Sequence, residues 1–182
     1  MRILGIDPGS VVTGYGVVER RGAEVRHVAH GTVRPPRGAA LATRLAAIHE
    51  GVRDVIEAHA PDAVVVEQVF VAANARSALV LGQARGVAVA AAALAGLPVD
   101  ELPAQEVKRA VAGQGAAPKL QVQRMVQRLL ALPRAPAQDA ADALAAALCR
   151  AHEGAFARRS RARARPSRTR GRGGRFVSRG AR

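Results

Sequence analysis

Four carboxylates in this chain stand where a carboxylate is costly. Asp7 closes the apolar run RILGID, and Glu67 closes the β-branched run AVVVE. Asp139 and Asp142 lie in DAADALAAAL, an apolar helical stretch, three residues apart and therefore on one helix face. Clustered acids repel one another and their pKa values rise; a hard divalent cation, Mg²⁺ or Mn²⁺, bound through oxygen relieves this. Two such ions about 4 Å apart can activate a water and stabilise the leaving oxygen in phosphodiester cleavage. No His or Cys spacing suggests zinc. Taken singly, each acid has a plainer reading. Asp7 belongs to an Asp-Pro-Gly turn, and Glu67 could be a strand-end surface charge. Asp139 could cap its helix, and Asp142 could face the helix dipole. Their joint order and placement favour the chemistry.

Of the 28 basic side chains only two are lysines, Lys108 and Lys119. A compact ammonium in an arginine background suits a phosphate or a developing negative charge. Two lysines left by chance on a solvated face would look the same. Phe70 follows Glu67 by three residues in a chain with three Phe and one Tyr. It reads either as a core anchor or as a platform for an unpaired base. Gly9–Gly16 (GSVVTGYG) is only loosely like a phosphate loop, because it lacks the Gly-Lys-Ser/Thr that would hold a nucleoside triphosphate.

The elements that must position these groups follow from periodicity. Residues 2–7, 13–19 and 24–33 read as a three-stranded meander, with Pro8-Gly9 and Arg21-Gly22 as breaks. Helical spacing of Leu41, Leu45, Ile48, Val52, Val55 and Ile56 predicts a helix over 39–59. Residues 63–67 are a continuous β-branched run, as in a central parallel strand. Asn74 caps a helix reaching about Ala95, and Leu97–Leu102 adds a further sheet element. Short helices follow over 104–111 and, behind Pro118, over 119–130; the last helix spans 137–153. The class is α/β, a mixed central sheet flanked by helices. Ligands of such sheets collect at the carboxyl ends of strands. If 1–7 and 63–67 are parallel neighbours, Asp7 and Glu67 lie side by side there. Packing of the last helix against that edge then adds Asp139 and Asp142.

Charge divides the chain in two. The net charge is +14, and the eleven arginines between Arg158 and Arg182 face no acid, so residues 1–157 hold only the remaining three. This predicts a nearly balanced folded domain over 1–154 and a disordered basic tail over 155–182, a composition that suits polyanions. The single cysteine, Cys149, excludes an internal disulfide, reads as a small buried residue and fits a reducing cytoplasm. The N-terminus lacks the apolar stretch and cleavage site of a signal peptide. The longest apolar run, Gly86–Val99, is shorter than a bilayer requires, so no membrane association is expected.

Four blocks, in order, resemble the RuvC family of junction endonucleases. They are IDPGSVVTGYGVV (6–18), VVEQVFVAANARSALVLGQARG (65–86), VKRAVAGQGAAPKLQVQRMV (107–126) and DAADALAAAL (139–148). The resemblance covers nearly all of residues 1–150 and implies an RNase H-like fold. It also implies a homodimer with two sites and metal-dependent symmetric nicking of a four-way (Holliday) DNA junction in recombination and repair. By motif match, Asp7, Glu67, Asp139 and Asp142 become the metal ligands, for two Mg²⁺ ions with Mn²⁺ as substitute. Lys108 and Lys119 fall near the scissile phosphate, and Phe70 falls where an aromatic stacks on junction bases. The implied partner is the RuvA–RuvB branch-migration complex. The arginine-rich tail departs from the pattern and is expected to add phosphate contacts. Two other classes compete: an RNase H-like nuclease of structured RNA, and a basic DNA-binding protein without catalysis. The second would have little use for four buried-edge acids.

Overall fold

The computed structural model describes residues 1–68 and 74–163, with side chains described as far as His152. Phe70 and residues 164–182 lie outside the described residues. Three strands open the chain: β1 (Arg2–Asp7), β2 (Thr13–Arg21) and β3 (Glu24–Val33). Then come α1 (Leu41–His59), β4 (Ala63–Gln68), α2 (Ala75–Leu94) and β5 (Val99–Pro103). Three helices complete it: α3 (Ala104–Ala112), α4 (Lys119–Leu129) and α5 (Gln138–Arg163).

The strands form one mixed sheet in the order β3-β2-β1-β4-β5. β1 pairs antiparallel with β2 and parallel with β4, and β4 pairs parallel with β5. The parallel register places Ile6 beside Val66, so the next residues, Asp7 and Glu67, end neighbouring strands at the same edge. Because side chains alternate across a strand, β1 and β4 feed both faces. Leu4, Ile6, Val64 and Val66 pack with α1 and α2, whereas Ile3 and Val65 pack with α3, α4 and α5. Asp7 and Glu67 share the parity of Ile3 and Val65 and therefore face α5.

Close backbone approach seats α5 on the sheet. A Cβ on Gly5 would lie 2.0 Å from the carbonyl oxygen of Ala143, and one on Gly14 would lie 2.0 Å from that of Asp139. Only a residue without a side chain fits either position. From Ala140 to Ala151 every residue except Asp142 and Arg150 is at most 1% exposed. Asp142 and Arg150 are the two polar exceptions, and Arg150 pairs with Asp100 of β5.

One sequence expectation changes. The last helix runs through Gly154 to Arg163 instead of ending at Glu153. One glycine costs a helix only about 1 kcal/mol, and the alanines and arginines around it are strong helix formers. α2 as a whole meets the length and composition of a membrane-crossing helix, although only 22% of its most apolar window is buried. Its Ala84, Ala88, Ala91 and Ala92 nevertheless belong to the core shared with α1 and the sheet.

Candidate active site

A cavity of about 130 Å³ opens at the carboxyl edge of β1 and β4. Its polar lining is Asp7 from β1, Glu67 from β4, Lys108 from α3, Lys119 from α4 and Asp142 from α5. Val107, Val122 and Ala145 form apolar wall around them. Five elements distant in sequence thus each deliver a charged group to one hollow. Lys119 Nζ donates to Asp142 Oδ2 at 3.2 Å, and Asp142 is the more enclosed partner, 14% exposed against 66% for the lysine.

The electrostatics follow from burial of like charges. The Asp7 carboxyl is raised to about 7, first by burial, then by Asp142, Glu67 and Asp139, with Lys119 opposing. Glu67 is raised as well, by burial and then by Asp142, with both lysines opposing. Lys119 is held above its usual value chiefly by the Asp142 charge. Asp139 does not line the cavity. It is half-buried in the first turn of α5, and its part here is the charge that it adds to the field at Asp7.

Among the described residues, no three His, Cys, Asp or Glu side chains stand close enough to hold one ion as they are placed. Asp142 is paired with Lys119 instead. The donor chemistry still fits a hard cation. The donors are all oxygen, and they are carboxylates held in partial burial against their own repulsion.

Sequence reading missed the groups that fix the turn after Asp7. Thr13 is fully enclosed, the one buried polar side chain among the described residues. Its hydroxyl donates to Gly9 O at 2.9 Å and accepts from Gly9 N–H at 3.3 Å. Arg44 of α1 donates from Nε to Ser10 O at 3.0 Å and again from Nη2. A threonine in a β-rich run and an arginine in an amphipathic helix carry no signal of such a role.

The sheet order, the acids at its carboxyl edge and the long helix laid across them define the chain as an RNase H-like protein of the nuclease type. The model of the family described as crossover junction endodeoxyribonuclease RuvC matches residues 3–150, and the chain belongs to that family. RuvC of Geobacter sulfurreducens is 54% identical over 152 residues, which are 84% of this chain and 93% of that protein. RuvC of Halorhodospira halophila is 56% identical over 151 residues, 83% of this chain and 90% of that protein. The structure of Thermus thermophilus RuvC in complex with a Holliday junction substrate superposes with a TM-score of 0.80. It is 36% identical and covers 86% of this chain and 96% of the other.

Proposed function

We propose that this chain resolves four-way DNA junctions by nicking opposed strands symmetrically during recombination and repair, with the Asp7 cavity as its catalytic centre. One observation carries the reading: three carboxylates and two lysines from five elements line one hollow, in a chain similar over its folded length to a junction-bound relative. Asp7, Glu67 and Asp142 would hold the divalent metal, with Asp139 completing the set. The metal is Mg²⁺, for which Mn²⁺ can substitute, and two ions serve each centre. When bound, the ions supply an activated water and stabilise the leaving oxygen. Asp7 and Glu67, whose carboxyls burial raises, would be relieved of their repulsion. Lys119 and Lys108 then meet the scissile phosphate as point charges, and the apolar wall of Val107 and Val122 limits water around it. Lys119 would be available for this role if Asp142, its present partner, served as a metal ligand. Phe70, three residues past Glu67, stacks on junction bases.

Symmetric nicking requires two centres, so the working form is a homodimer, acting with the RuvA–RuvB branch-migration complex. Support for the dimer comes from α2. Leu79 and Leu94 are 70% and 81% exposed, and a groove of Ala75, Ala78, Leu79, Gly82 and Gln83 runs along its first half. Exposed apolar surface of this kind marks interfaces.

The test is cleavage of a labelled synthetic four-way junction with Mg²⁺ by the wild type and Asp7→Asn. Paired symmetric nicks, lost at least about 100-fold in a variant that still binds, support the reading. Binding without nicks in either protein, with Mn²⁺ also tried, would favour a non-catalytic DNA-binding protein. Cutting confined to structured RNA would favour the other nuclease class.

A further inference from the structure

Arg44 stands in the first turn of α1, half-buried, and its side-chain hydrogen bonds among the described residues all go to one backbone carbonyl. Nε donates to Ser10 O at 3.0 Å, and Nη2 donates to the same oxygen. A guanidinium is shaped for the two oxygens of a carboxylate or phosphate. Here it joins none of the ion pairs among the described residues. Its use on a single carbonyl makes the segment that carries that carbonyl the point of interest.

That segment is the turn from Asp7 to Gly14, two residues that pair across β1 and β2. The turn is tight in itself. The Thr13 hydroxyl bonds both the N–H and the carbonyl of Gly9, and a Cβ on Gly9 would lie 2.1 Å from Val12 O. Arg44 anchors this compact unit to α1. The anchor comes from the far side of the sheet, because α1 packs with Leu4 and Ile6 whereas Asp7 faces α5. Neither Arg44 nor Ser10 lines the cavity.

The charge at Asp7 explains the need for an anchor. Asp142, Glu67 and Asp139 all push on its carboxylate. As far as Ile6, β1 is held on both sides, by Tyr15 of β2 and Val66 of β4. At Asp7 only the pairing with β2 continues, so the turn is the part that can yield. A carboxylate that yields to its neighbours is a poorer ligand, since an arriving ion must draw it back.

We propose that Arg44 is a positioning residue of the catalytic centre: by fixing Ser10 O from the opposite face of the sheet, it holds the Asp7 carboxylate in place for the divalent cation. This rests on the metal-centre reading above.

The probe is Mn²⁺ alone, titrated without DNA into the full metal-free chain, with free Mn²⁺ read by electron paramagnetic resonance. Arg44→Met removes the donors and keeps much of the apolar stem. It lowers Mn²⁺ affinity about tenfold or more, as loss of a group that orients a ligand does. The Mg²⁺ needed for half-maximal junction nicking rises by the same factor. Arg44→Lys keeps the charge and a single donor, and falls between Arg44→Met and the wild type. Val55→Ala, farther along α1 in the core, is the control. It lowers the melting temperature through lost packing and leaves Mn²⁺ affinity within about twofold.

An unchanged Mn²⁺ affinity in Arg44→Met overturns the inference. So does an equal loss in Val55→Ala at a matched fall in melting temperature, which would make Arg44 a stabilising residue only. If Arg44→Met does not fold, Arg44→Lys against Val55→Ala decides by the same criterion. A wild type that binds no Mn²⁺ rejects the metal-centre reading and the inference with it. A wild type that binds, with variants that bind equally well, rejects the inference alone.

Discussion

α2 and α5 are both long and rich in alanine, yet the fold treats them in opposite ways. α5 is enclosed on nearly every side from Ala140 to Ala151, between the glycine-lined face of β1 and β2 and the apolar sides of α3 and α4. α2 buries only Ala84, Ala88, Ala91 and Ala92 and leaves Leu79 and Leu94 in the open. The difference teaches that composition alone does not bury a helix. What does so is a surface shaped to receive it, and the missing side chains of Gly5 and Gly14 shape that surface. The helix so received is the one that brings Asp139 and Asp142 to the acids of the sheet. The other leaves an apolar side exposed.

The contrast is tested most severely at Gly5. Gly5→Val drives a side chain into the backbone of Ala143 and unseats α5, lowering the unfolding free energy by about 3 kcal/mol or more. Urea titration reads this, and a loss under about 1 kcal/mol would show that the glycine does not set the seat.

An effect of comparable size, confined to a pH window, belongs to Asp7, which the seating of α5 places among like charges. Its folded pKa, about 7, lies above the ordinary 3.8. The folded protein therefore holds the proton more tightly than the unfolded chain. Asp7 costs nothing below about pH 4, costs more as pH rises, and reaches its full penalty above about pH 7, at up to about 1.4 kcal/mol per pH unit. The metal-free wild type should thus lose stability toward neutral pH relative to Asp7→Asn, and added Mg²⁺ should offset the loss. Parallel pH profiles for the two proteins would remove the buried-acid account.

The least change in the folded monomer is expected on α2. Leu79→Glu with Leu94→Glu should alter monomer stability by less than about 0.5 kcal/mol per site, since neither side chain is packed. The same pair should convert a dimer to a monomer in sedimentation velocity. An unchanged dimer would move the interface away from this helix.

Much of this was legible in the residues. The strand runs ending in Asp7 and Glu67, the three-residue spacing of Asp139 and Asp142, and the helix starts at Asn74 and Pro118 follow from periodicity and local chemistry, because each depends on neighbours in the chain. The division of charge was legible too, because counting arginines needs no fold. The end of α5 was not: Gly154 reads as a break, but a single glycine is outweighed by the helix formers around it.

Other features depended on contacts between distant segments. That Asp7 and Glu67 are neighbours follows from the parallel pairing of β1 with β4. That Lys119 reaches Asp142 while Asp139 stands outside the cavity follows from how α4 and α5 pack. The Thr13 and Arg44 clamps on the turn after Asp7 belong here as well. Periodicity fixes which side of an element is apolar. Which elements meet, and with which carboxylate facing which ammonium, is decided only when close packing joins residues far apart in the chain.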